Sequence, residues 1–220
     1  MRQSVRTVIA GLLLGGLGAG AGAEVRLNEV LGSTAAEDCE FIELHNTGMT
    51  EVDLSGWSIE LWDSDADKAF GTADADSPIK LGGRIDGGGY FLLANPEFTE
   101  HYEIEPDQPL RANAIENSSY TIVLRDDLGE IVDSVFVCDG GEGDKPNING
   151  RVIRPDAEIR SADGRFVPPG FARLADSDDG TRRYRVLKFS PVPPPGATPG
   201  KPNAPATGEN PAGEGEPTSP

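Results

Sequence analysis

The sequence predicts an all-β fold, a sandwich or barrel built as one domain over residues 24–190, and three observations carry that reading. Short apolar runs alternate at period two, as in Trp57, Ile59 and Leu61 against Ser58 and Glu60. Turn formers rich in Gly, Asn and Asp separate these runs. No stretch keeps a helical apolar period for three turns.

Taken in order, Glu24 to Leu31 alternates with Val25, Leu27 and Glu29 on one side, and Phe41 to Asn46 forms a second strand ended by Asn46-Thr47-Gly48. In Asp53-Leu54-Ser55-Gly56-Trp57 a polar corner leads into the third strand. Gly56 stands where the chain turns beside a bulky indole, a place that favours a residue without Cβ. An acidic loop, Asp63 to Ser77, precedes Ile79 to Leu81, and the glycines 87–89 hand over to the apolar run Tyr90 to Ala94. Tyr120 to Leu124 and Glu130 to Val137 flank Asp126-Asp127-Leu128-Gly129 as an antiparallel hairpin. The polar stretch from Cys138 to Gly170 reads as an irregular excursion, and Phe171 to Leu174 and Tyr184 to Phe189 as two late strands. Residues 191–220, dominated by Pro, Gly, Thr and Glu, carry too little apolar surface to offset the cost of ordering and read as a flexible tail.

Residues 1–23 have the form of a secretory signal: Arg2 and Arg6, an apolar run from Val8 to Leu17, and Ala21-Gly22-Ala23 as an Ala-x-Ala cleavage site. A spanning anchor needs roughly 20 apolar residues, more than this Gly-rich stretch supplies. A secreted or periplasmic protein with no transmembrane anchor after cleavage is therefore expected. The formal net charge of the whole chain is −18, and loss of the two arginines makes it more negative. Such a charge disfavours nucleic acid and acidic membrane faces. In an oxidising compartment, Cys39 and Cys138 are expected to pair as one disulfide.

With the strands placed, the motifs Arg26-Leu27-Asn28-Glu29-Val30, Glu40-Phe41-Ile42-Glu43-Leu44-His45-Asn46 and Val52-Asp53-Leu54-Ser55-Gly56-Trp57 resemble those of lamin tail domains. So do Gly88 to Leu93, Asp127 to Val135 and the closing Thr198-Pro199-Gly200-Lys201-Pro202-Asn203. The resemblance implies an immunoglobulin-like β-sandwich of the kind found in exported bacterial proteins, and a role as an interaction module. It also marks Asn28, Glu29, Asp53, Leu54, Gly56, Trp57 and Asp133 as the structural core motif, with Asn28, Glu29 and Asp133 satisfying backbone groups in corners.

Catalytic signals are sparse. Glu43 and His45 share one face of their strand, which reads as an exposed face opposite Ile42 and Leu44. Asp63, Asp65 and Asp67 alternate like calcium-loop ligands, but Lys68 stands where a calcium hand needs Gly, so at most weak calcium binding and no other cofactor is expected. The expected function is that of an exported, non-enzymatic binding or structural module with a protein or envelope partner. The competing reading is an accessory or degenerate domain of a secreted hydrolase system, a nuclease or phosphatase, with calcium dependence.

Overall fold

The computed structural model describes residues 25–32, 39–66, 69–74, 77–160, 170–174, 184–187, 194 and 196–203. The expected signal segment, 1–23, and the last part of the expected tail, 204–220, lie outside the described residues.

In chain order the strands are β1 (Val25–Leu31), β2 (Phe41–Asn46), β3 (Val52–Asp53), β4 (Ser58–Asp63), β5 (Ile79–Lys80), β6 (Arg84–Ile85) and β7 (Tyr90–Ala94). The helix α1 (Pro96–Tyr102) follows, then β8 (Gln108–Pro109), β9 (Tyr120–Arg125) and β10 (Ile131–Cys138). The chain continues with β11 (Asn147–Ile148), β12 (Arg151–Val152), β13 (Ala157–Arg160), β14 (Gly170–Arg173) and β15 (Tyr184–Leu187). One sheet runs β15-β14-β1-β2-β7-β8 and a second runs β13-β10-β9-β4-β5, with small ladders β11-β12 and β3-β6 beside them. Among the described residues no helix is long and apolar enough to cross a membrane.

Period-two alternation decides which side chains fill the space between the sheets. Leu27, Ile42, Leu44 and Leu93 from the first sheet meet Trp57, Ile59, Leu61, Ile122, Leu124, Val135 and Val137 from the second in one buried cluster. The Trp57 corner is built as its residues suggest. Asp53 accepts the Ser55 N–H at 2.9 Å, the Trp57 N–H donates to Leu54, and Gly56 has φ +88°, with a Cβ there 3.1 Å from that of Asp127. At Gly170 the constraint is space, because a Cβ would lie 1.7 Å from the Val30 carbonyl oxygen where β14 passes β1.

The first sheet is covered on its outer face as well. There Leu31, Cys39, Phe41, Leu92, Ala94, Ala172 and Leu187 form a second cluster with Phe98, and Tyr102 and Ala197 pack on it. Phe98 and Tyr102 come from α1, whose first turn is capped by Asn95 accepting the Phe98 N–H at 3.2 Å and which has proline among its opening positions. The Phe41 ring meets Phe98 edge-on at 5.3 Å. Seven residues are too few to show helical periodicity in the sequence.

Three expectations are corrected. Cys39 and Cys138 are not joined by a disulfide. Cys39 belongs to the cluster outside the first sheet. Cys138 alternates with the core residues Val135 and Val137 and so faces outward from the second sheet. Stacked sheets lie about 10 Å apart, whereas a disulfide requires Cα atoms within about 7 Å. The Cys138 sulfur instead accepts the Gly140 N–H at 3.4 Å and the Arg160 guanidinium at 3.5 Å.

The excursion after Cys138 also contains ordered strands. β11 and β12 make a short hairpin, and β13 runs parallel to β10 as an edge of the second sheet. Finally, the domain does not end at Ser190. Pro194 and Pro199 are buried, and residues 196–203 lie across the outer face of the first sheet, held there by hydrogen bonds that composition cannot reveal.

A buried carboxylate pair beneath the closing segment

Two glutamates lie at the centre of the polar structure on that outer face. A bulge at Asn28 shifts the register between Leu27 and Glu29, so Leu27 faces the core while Glu29 faces out. Glu29 is then directly opposite Glu43 of β2 on the same face, with Ala172 beside it on β14 and Leu92 beside Glu43 on β7. Both glutamates are fully buried. This corrects the reading of Glu43 as part of an exposed strand face, since residues 196–203 cover it.

Buried carboxylates need partners, and the closing segment supplies them. The Thr198 N–H donates to Glu29 at 3.0 and 3.2 Å, and the Gly200 N–H donates to Glu43. Asn28 donates its side-chain amide to Glu43 at 2.6 Å, and Asn203 donates to the Asn28 carbonyl at 3.4 Å. From β15, Arg185 reaches the Gly196 carbonyl at 2.8 Å. Burial is the main cause that raises Glu29 from 4.5 to about 8, and the facing Glu43 charge adds to it. Burial likewise lifts Glu43 to about 7, with Asp107 contributing and the Gly200 and Asn28 hydrogen bonds opposing. His45 is stacked on Tyr90 at 4.5 Å, and burial lowers its pKa.

The other expected residues are placed as structural groups. Asp133 is buried between the sheets, where it accepts the Leu27 N–H at 3.0 Å and the Arg173 guanidinium at 2.7 Å while Arg173 also donates to the Leu27 carbonyl at 3.0 Å. It thereby ties β10 of the second sheet to β1 and β14 of the first. Asp53, Leu54, Gly56 and Trp57 make the corner described above.

In the acidic loop, Asp63 accepts the Asp65 N–H at 2.9 Å, while Asp67 lies outside the described residues. Among the described residues there is no group of three or more His, Cys, Asp or Glu able to hold a metal ion. Beside this loop, Leu61, Asp63, Thr72, Asp74, Asn113 and Glu116 help line an open cavity of about 340 Å³.

Sequence reasoning missed Glu40, Arg173 and the pairing of Glu29 with Glu43. Glu40 is fully buried and accepts the N–H groups of Ala114 at 2.7 Å and Ile115 at 3.3 Å, fixing the loop before β9. An available signal was the polar residue immediately before the apolar run at Phe41. The glutamate pair had none, because the bulge sets its register.

With this geometry in place, comparison with known proteins adds one match: a family model described as Lamin Tail Domain covers residues 19–138. That span ends with β10, so it contains Glu29 and Glu43 but neither β14, β15 nor the segment whose N–H groups bind them. No curated protein matches the chain.

Proposed function

The chain belongs to the lamin tail domain family, and on that premise we propose that it is an exported, non-catalytic binding module of the cell envelope or extracellular space. The observation that carries the binding role lies at the end of the sandwich formed by the Trp57 corner. β4 starts there opposite the end of β9, so the turn after Arg125 and the Asp53–Gly56 corner are neighbours, and the turn after Asn46 joins them through β3 and β6.

On these tips Met49 is 98 % and Leu128 81 % exposed, and Ile131 next to the second turn is 45 % exposed. Large apolar side chains gathered at one end of a sandwich are suited to contact a partner, each contributing up to about 2 kcal/mol when covered. Around them Glu51, Asp53, Asp86, Asp127 and Glu130 are exposed, and the nearby Arg84 is already paired with Glu51 at 2.6 Å. The rim is therefore acidic and suits a partner with a basic, apolar surface. Export is supported by the signal-like residues 1–23, and a non-catalytic role by carboxylates whose oxygens are engaged with backbone N–H groups.

The test is affinity capture from envelope and secreted fractions with the mature protein and with the double variant Met49→Asp, Leu128→Asp. A discrete set of proteins retained by the first and lost by the second, with unchanged circular dichroism, is the expected result. Equal capture by both, or none by either, would sink the proposal.

A further inference from the structure

We propose that residues 196–203 form a proton-dependent latch, closed over Glu29 and Glu43 while that pair holds a proton and opening as both become charged. Among the described residues, the segment is attached to the sheet through this pair and its neighbour Asn28, by the Thr198, Gly200 and Asn203 donors. Ala197 packs on the outer cluster, Pro199 is buried, and Arg185 donates to the Gly196 carbonyl. Glu29 and Glu43 are directly opposite on adjacent strands, where like charges oppose each other, and neither is exposed while the segment is in place.

The groups around the pair do not neutralise it. Arg185 from β15 stabilises charge on Glu29, while Asp107, from the segment before β8, disfavours charge on Glu43. Tyr90 of β7 and Tyr102 of α1 are neutral neighbours, each raised above the ordinary phenol value chiefly by burial. Asn28 and the Thr198 and Gly200 amides are fixed donors. Closure thus removes water from two carboxyls and returns one dispersed cation.

Opening lets water reach both carboxyls and restores their ordinary acidity, so the closed form binds more protons than the open one. Closure is therefore strongest below the ordinary value of 4.5, weakens as pH rises from there to about 7 to 8, and is constant above that range. Within that window the closure constant falls about tenfold per pH unit for each proton released. The segment lies beyond the span matched by the family model, which ends at residue 138.

Amide hydrogen exchange on the full chain, corrected for intrinsic rates, reads the latch directly. From pH 5.5 to pH 8 the protection of the Thr198 and Gly200 amides should fall more than tenfold, while that of the Asp63 amide, bonded to Thr72 at the far end of β4, stays constant. The double variant Glu29→Gln, Glu43→Gln, neutral at every pH, should retain protection at pH 8, and each single variant should lose less of it than the unaltered chain. If the double variant does not fold, the carboxyl carbon shifts of Glu29 and Glu43 in the unaltered protein should titrate where the protection loss levels off. Unchanged protection across this range, an equal loss at Asp63, a loss that persists in the folded double variant, or carboxyl midpoints elsewhere would overturn the latch.

Discussion

Ending the chain at Ser190 removes the Thr198 and Gly200 donors to the Glu29–Glu43 pair and the Asn203 bond beside them, whereas ending it at Asn203 keeps all three. The first truncation deletes two amide-to-carboxylate bonds, each contributing about 1.5 kcal/mol, the Asn203 and Gly196 bonds at about 1 kcal/mol each, and the packing of Ala197. Water reaching the uncovered carboxyls returns part of this, leaving a loss of about 3 kcal/mol. For a domain of this size 1 kcal/mol corresponds to about 2–4 °C in Tm, so the chain ending at Ser190 should melt about 6–12 °C lower. Differential scanning calorimetry at pH 6, where the pair holds protons, is the assay. Coincident melting of the two truncated chains would refute the assignment of residues 196–203 to the folded domain.

The tie between the sheets should be equally measurable: Asp133→Ala strands the part-buried Arg173 and the Leu27 N–H, with an expected cost of about 3 kcal/mol in urea denaturation. Arg173→Ala should cost a similar amount, and the double variant less than the sum, because the two residues share one interaction. At the Trp57 corner, Gly56→Val places a branched side chain at φ +88° and against Asp127, and thermal melts should show a loss of about 2–3 kcal/mol. For the cysteines, thiol labelling of the denatured protein without reductant should find two reactive groups, and finding none would restore the bridge.

The elements most legible in the sequence were those governed by local rules. Alternation at Trp57, Ile59 and Leu61 identified the core face of β4, and Asp53 with Gly56 identified the corner, because each depends only on its neighbours along the chain. The carboxylate pair depends instead on a one-residue bulge at Asn28, which reverses the face of everything after it and cannot be read from β1 alone. The cysteines misled for a related reason: compartment and number suggested a bond, while strand parity put the two thiols on opposite outer faces. The closing segment was masked by its composition. Thr198-Pro199-Gly200 has little apolar surface to bury, and it docks by giving backbone donors to carboxylates more than 150 residues away in sequence.

A photo-crosslinking residue placed in living cells at Leu128, and separately at Val152, tests the binding role most directly. Both positions are exposed and apolar, at 81 % and 60 %, but Val152 belongs to the hairpin near Gly71 at the opposite end of the sandwich. The account expects a discrete adduct from position 128 and none from position 152. An adduct from 152 alone, the same adduct from both, or none from 128 would contradict a binding surface on the loops around the Trp57 corner.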